Sequence, residues 1–263
     1  MRLGFIGAGN MAQAMIGGIL AKEIVKKEDI IASAATQNTI DKVAKEFGIN
    51  VTLDNREVAK ADIVFLAVKP FYYEEVIDGI KDVVDEKQLI ISVAAGKSVE
   101  WVENAFGGKK KIVRIMPNTP ALVGEAVTAI CPNANITDGE KQEIVELIAS
   151  FGLAQIVSEK IMDAVIAVSG SSPAYVFMFI EAMAEAAVAE GMPRVQAYQF
   201  AAQSVLGSAK MVLETGKHPG ELKDMVCSPS GTTIEAVKVL EEKGFRSSII
   251  EAMSACADKS RNM

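Results

Sequence analysis

Gly7, Gly9 and Ala12 stand at the spacing G-x-G-x-x-A, directly after Arg2–Ile6, which reads as a short buried strand. Behind them, from Met11 to about Leu20, apolar residues recur at helical period. Glycine at the first position permits a tight turn. At the second, the missing Cβ lets a backbone approach a pyrophosphate, and alanine at the third lets the helix lie close to the strand. The free N–H groups and the positive dipole end of that helix favour phosphate. The chemistry this points to is dinucleotide binding. A second polar stretch, Ser228-Pro-Ser-Gly-Thr-Thr233, opens a helix near Thr233. Its N–H groups would seat a carboxylate, and the hydroxyls of Thr232 and Thr233 could reach a small polar substrate. Taken alone, the same loop is also a plain helix cap.

The remaining chemistry is thin. His218 is the one histidine and precedes Pro219 and Gly220, a structural or surface setting. Cys131, Cys227 and Cys256 lie far apart, with neither disulfide framework nor zinc spacing, so no metal is expected and a reducing cytosol fits. A reduced nicotinamide would bring the hard step with it, leaving the protein to position substrate and stabilise charge. An acceptor that is already cationic, such as a protonated imine, needs no strong general acid. That suits the shortage of acid–base residues.

The elements that must position these groups read as a βα alternation. Strands are expected at Asp29–Ser33, Asn50–Thr52, Asp62–Val68, Leu89–Val93 and Lys111–Met116, with Glu125–Cys131 and Leu153–Val157 continuing the sheet. Pro70 suits the first position of a helix, Ser98 an N-cap, and Thr137-Asp-Gly-Glu140 a capping box. Ligands bind at the carboxyl ends of such strands. Lys69, Ala95, Gly96 and Asn118 should therefore converge on the cleft of Gly7 and Gly9. After the second strand, where a carboxylate would bind the ribose of NAD, the chain carries Ser33-Ala-Ala-Thr-Gln-Asn38, then a helix near Thr39. Hydroxyls and amides there favour NADP, although no arginine accompanies them.

Half of the 263 residues are hydrophobic, enough for one large or two modest domains, and the net charge of −7 argues against nucleic acid or an anionic membrane surface. The one basic run, Lys109-Lys110-Lys111, is a turn before a strand. The chain begins on a strand and glycine turn, so no secretory leader is expected, and with the sparse cysteines a cytoplasmic location is expected. From Met162 to Thr215 the texture changes to Ala-rich helical periodicity. Glu181, Glu185 and Glu190 interrupt its most apolar part, Pro173–Met192, and argue against a simple transmembrane helix. Small residues at helix spacing from Glu181 to Glu190 suit close packing, much of it against a second subunit. The division falls at 1–159, a dinucleotide-binding domain, and 160–263, an all-helical dimerisation and substrate domain. The fold class is α/β, Rossmann-type, followed by all-α.

Gly7-Ala-Gly-Asn-Met-Ala12, Ala67-Val-Lys-Pro70, Ala94-Ala-Gly96, Pro117-Asn-Thr-Pro120, Ser169-Gly-Ser-Ser-Pro-Ala-Tyr175 and His218–Thr233 together resemble pyrroline-5-carboxylate reductase, in that family's order and over nearly the whole chain. The resemblance implies reduction of 1-pyrroline-5-carboxylate to L-proline by NADPH or NADH, the last step of proline biosynthesis. It also implies a helical domain that interleaves with its partner, in dimers that build larger homo-oligomers. It places cofactor contacts at Ile6, Gly7, Ala8, Gly9, Asn10, Met11, Ser33, Asn55, Ala67, Val68, Lys69, Pro70, Ala94, Ala95 and Gly96, with Asn118 near the nicotinamide. Backbone groups of Ser230, Gly231 and Thr232 would hold the substrate carboxylate, and Thr233 would hydrogen-bond the ring nitrogen as the catalytic hydroxyl. Two departures stand out. Ser230 occupies a place where many members have glycine, and Gly216 one where some have glutamate. Two other readings of the fingerprint remain. A β-hydroxyacid dehydrogenase generally uses a lysine early in its second domain, and none lies between Ile161 and Ala209. A non-catalytic NADP-binding sensor would have no use for Thr233 and its loop.

Overall fold

A computed structural model describes residues 1–262. Its strands are β1 (Leu3–Ile6), β2 (Ile30–Ser33), β3 (Asn50–Thr52), β4 (Ile63–Leu66), β5 (Leu89–Ser92), β6 (Lys111–Met116), β7 (Ala126–Pro132) and β8 (Gly152–Ile156). Helices α1 (Asn10–Ala21), α2 (Gln37–Phe47), α3 (Asn55–Val58), α4 (Tyr73–Ile80), α5 (Val99–Ala105) and α6 (Asp138–Ile148) alternate with them. The helical half comprises α7 (Met162–Val165), a π-helical turn Ile166–Gly170, α8 (Ser172–Ala189), α9 (Arg194–Thr215), α10 (Pro219–Val226), α11 (Thr232–Glu242) and α12 (Phe245–Arg261). Contacts divide the chain into two compact units, Met1–Ser171 with Cys256–Met263, and Ser172–Ala255. The strands stop near residue 159, where the sequence changes texture, but residues up to 171 pack with the sheet.

The eight strands form one sheet in the order β3-β2-β1-β4-β5-β6-β7-β8. β1 to β6 are parallel, β7 turns antiparallel to β6, and β8 is parallel to β7. The central strands are buried on both faces, as their continuous apolar runs require. Leu3, Phe5, Ile63 and Phe65 face α1, α2 and α6, with Phe5 stacked on Phe65 at 4.4 Å. Ile6, Val64, Leu66 and Ile90 face α3, α4 and α5. Register aligns Leu66 with Ser92 and Ser92 with Arg114, so the segments after β4, β5 and β6 all leave one edge.

Local signals set the boundaries. Thr36 caps α2, which therefore starts at Gln37 rather than near Thr39. Ser98 caps α5 by accepting the Trp101 N–H at 3.0 Å. Thr137 and Glu140 form the expected reciprocal box. Lys111 sits 2.5 Å from Glu140, and with the Thr137 N–H it holds that carboxyl at about 2.

The second unit is built differently. Its buried hydrophobic cluster holds only Ala184, Ala197 and Ala201, between α8 and α9. Phe177, Met178, Phe200 and Leu213 are all more than 60% exposed. Three alanines bury little area, so this unit carries an apolar face that a single chain leaves in water. The run Glu159–Ala189 is, by length and composition, long and apolar enough to cross a membrane, so its carboxylates do not by themselves exclude a span. It is not one regular helix, because the π-helical turn Ile166–Gly170 interrupts it.

Candidate cofactor and substrate sites

Gly7 takes φ +96°, and a Cβ there would lie 2.7 Å from the Ala67 carbonyl oxygen. The turn after β1 therefore needs glycine for both torsion and space. Gly9 differs. Its φ is −75°, and nothing lies within 4 Å of where its Cβ would be. The protein's own packing does not demand glycine there. What the missing side chain leaves is open room in front of the N-terminus of α1, which has no side-chain cap. A pyrophosphate fits that setting, since free N–H groups and the helix dipole both meet it. Gln13 steadies the turn by donating to the Ala8 carbonyl at 2.7 Å.

The cleft over this turn has a volume of about 520 Å³. Among the expected cofactor residues, Gly7, Ala8, Gly9, Asn55, Ala67, Val68 and Lys69 line it. Ile6 is buried beneath it, and Met11 is half-buried in α1. Asn10 faces a different groove, of about 750 Å³, between α1 and residues 121–125. Pro70 opens the short turn Pro70–Tyr72 before α4. Ala94, Ala95 and Gly96 follow β5 at the same sheet edge, with Gly96 exposed.

The stretch after β2 is less free than its composition suggests. Ser33 is fully buried, and its hydroxyl donates to Asn55 Oδ1 at 2.6 Å. It reaches the cleft only by orienting Asn55. Thr36 is spent on capping, with its hydroxyl 2.9 Å from that of Thr39, and Gln37 donates to Asp41 at 2.7 Å. Among the described residues, Lys69 and Glu75 are the only charged side chains lining the cleft. Sequence reasoning missed Thr39, Leu53, Tyr72, Glu75 and Val76 on its walls. Leu53 and Tyr72 are 54% and 44% exposed, and Tyr72 leans on Phe71 with ring centroids 4.2 Å apart. Adjacent aromatics directly after Lys69-Pro70 were the available signal.

Asn118 is buried, and both ends of its amide are engaged. Nδ2 donates to the Ser169 carbonyl at 3.0 Å, and Oδ1 accepts the Val127 N–H at 2.9 Å. This side chain ties the end of β6 to the start of β7 and to the π-helical turn. Tyr73 is wholly buried beneath the ends of β4 and β5, and desolvation pushes its phenol up to about 12. Arg114, also buried, pairs with Glu159 at 2.8 Å, and Glu159 accepts the Val99 N–H as well. Among the described residues no group of His, Cys, Asp and Glu has the arrangement of a metal site.

In the second unit, Ser230 holds a left-handed backbone at φ 59°. Gly231 is the N-cap of α11, which has no side-chain cap bond, so the hydroxyls of Thr232 and Thr233 are not used as caps. Gly231's N–H already donates to the Ser228 carbonyl at 3.1 Å. Of the three N–H groups expected to hold a carboxylate, those of Ser230 and Thr232 are the ones left over. His218 caps α10 by accepting the Gly220 N–H at 3.0 Å, the structural setting expected of it.

Residues 159–263 match the family described as pyrroline-5-carboxylate reductase dimerisation, and residues 2–96 the one described as NADP oxidoreductase, coenzyme F420-dependent. Pyrroline-5-carboxylate reductase of Escherichia coli is 51% identical over 263 residues, covering 100% of this chain and 98% of its own. That of Methanosarcina acetivorans is 43% identical, covering 100% and 97%. Among solved structures, the pyrroline-5-carboxylate reductase of Coxiella burnetii superposes with a TM-score of 0.91 at 36% identity, over 99% of this chain and 97% of that one. The Plasmodium falciparum pyrroline carboxylate reductase with NADP bound gives 0.91 at 33% identity, over 100% and 97%.

Proposed function

The chain belongs to the pyrroline-5-carboxylate reductase family, and from that premise we propose that it reduces 1-pyrroline-5-carboxylate to L-proline with NADPH or NADH, completing proline biosynthesis. The observation that carries the cofactor assignment is the room left at Gly9 before an uncapped helix N-terminus. With the dinucleotide bound, its reduced nicotinamide end would supply the hydride. Gly7, Ala8, Gly9 and the first N–H groups of α1, at Asn10 and Met11, hold the pyrophosphate. Asn55, oriented by Ser33, and the segments 67–70 and 94–96 would hold the rest of the dinucleotide, with Leu53 and Tyr72 as apolar walls of the cleft. Asn118 acts by fixing the end of β6.

Thr233 donates to or accepts from the imine nitrogen. The Ser230 and Thr232 N–H groups take the carboxylate, and Gly231 keeps the turn clear. No side chain here is a strong acid, so the amine proton comes from solvent or with a pre-protonated substrate. Thr233→Ala is expected to lower kcat/KM for the imine about 10- to 100-fold, the worth of one hydrogen bond to a charged group. The Kd for NADPH should stay within twofold. Steady-state assay of nicotinamide oxidation with titration of the cofactor checks both, and unchanged turnover would sink the role. Repeating the assay with NADH measures the preference between donors.

Ser230→Gly gives a second check on this loop. A left-handed non-glycine residue costs about 1 kcal/mol, and glycine's extra freedom in the unfolded chain offsets part of the relief. The variant should turn over normally and unfold at an equal or slightly higher temperature by calorimetry. A clear loss of turnover would mean that the serine side chain itself touches substrate.

We assign 1–159 as the dinucleotide-binding domain and 160–263 as the dimerisation and substrate domain. Two copies bury the exposed face of α8 and α9 against each other, dimers assemble further, and the enzyme works as a soluble protein of the cytoplasm with a small-molecule substrate, independent of nucleic acid and membrane.

A further inference from the structure

Helix α4 buries Tyr73, Ile77 and Ile80 at helical spacing, and a phenylalanine would fill the first of these places as well as a tyrosine. A phenol is costly in a core unless its oxygen is satisfied. The Tyr73 hydroxyl is satisfied three times at one spot. It donates to the Leu66 carbonyl at 2.5 Å and accepts from the Val93 N–H at 3.1 Å and the Ser92 hydroxyl at 3.2 Å. Leu66 and Ser92 are the last paired residues of β4 and β5. The regular ladder bond from the Val93 N–H to the Leu66 carbonyl is still made but is long, at 3.4 Å. The phenol oxygen bridges the same two groups beside it, where the two strands part.

We propose that Tyr73 is a positioning residue of the cofactor cleft, whose hydroxyl sets how far apart segments 67–70 and 94–96 leave the sheet. The inference rests on the reading that those segments hold the dinucleotide. The phenol bridges the two strands at the residue before each loop begins, so, beside the sheet bonds that hold each strand to its other neighbour, one oxygen atom sets the spacing between the two loop starts. Tyr73 touches neither reactant; its effect falls on cofactor affinity, through the two loops.

The test is Tyr73→Phe, which keeps the ring and removes the oxygen. NADPH Kd, by calorimetric titration, and NADPH KM should rise about 5- to 20-fold, the equivalent of one to two net hydrogen bonds. kcat at saturating cofactor should stay within about twofold, with assays run well below the melting temperature. Ser92→Ala removes only the longest of the three bonds and should weaken NADPH about two- to threefold. A lower melting temperature with wild-type NADPH Kd in Tyr73→Phe would make the tyrosine a core filler and overturn the proposal. Should Tyr73→Phe fail to fold, wild-type NADPH affinity in Ser92→Ala overturns it instead. Gly9→Val separates the two readings. If Gly9→Val binds NADPH normally, the cleft assignment itself fails; if it loses NADPH while Tyr73→Phe does not, only the role of Tyr73 fails.

Discussion

Valine at position 9 is expected to abolish NADPH-dependent turnover while leaving the protein folded. The two halves of that outcome have separate causes. Among the described residues nothing lies within 4 Å of the new Cβ, and a φ of −75° is open to any residue. The structural cost is therefore limited to a poorer helix start, about 1 kcal/mol or less. The branched side chain instead fills the room before the α1 N-terminus and holds phosphate away from the N–H groups. An affinity loss of at least about 100-fold follows from losing two charge-assisted hydrogen bonds. Gly7→Val makes the contrast. It meets the Ala67 carbonyl at a positive φ and should fail as a fold. Titration with NADPH alongside thermal melts distinguishes the two. Normal binding in Gly9→Val would remove the main support for placing the dinucleotide in this cleft.

Phe177→Glu is expected to prevent the proposed dimer from forming. Phe177 is 62% exposed on α8, beside Met178 at 68%, in a unit whose buried hydrophobic cluster is three alanines. In a two-fold dimer each substitution enters the interface twice. An unpaired carboxylate in an apolar contact costs several kcal/mol, and two of them should weaken association by at least about three orders of magnitude. The separated chain has little core of its own in residues 172–255, so helicity and turnover should fall with the dimer. Sedimentation velocity and circular dichroism over a dilution series measure this. A Phe177→Glu protein that stays dimeric and active would show that this face is not the one covered.

Much of the nucleotide-binding half is legible in the chain because its signals are local. A glycine fingerprint, caps at Ser98 and Thr137, and continuous apolar strands act over a few residues each, and they place every strand of the sheet. The polar stretch after β2 shows where such reading stops. Ser33, Thr36 and Gln37 look equally available in sequence, yet one is buried against Asn55 and two bond their own helix. Asn118 likewise looks like a ligand residue and spends both ends of its amide on backbone groups distant in sequence. Leu53 and Tyr72 carry no motif, and they reach one cleft because β3 and β4 are parallel and end at the same sheet edge, on either side of β2 and β1.

By itself, the order of residues determined the alternation of strands and helices, the glycine turn and the polar loop before α11, since torsion preference, periodicity and capping are written in neighbouring residues. The tertiary structure alone decided which polar groups remain free for a ligand, which glycine is needed for space and which leaves space, and that one tyrosine oxygen bridges the ends of β4 and β5. Those outcomes depend on which hydrogen-bond partners long-range packing supplies, and a buried donor or acceptor takes whatever partner the fold brings to it.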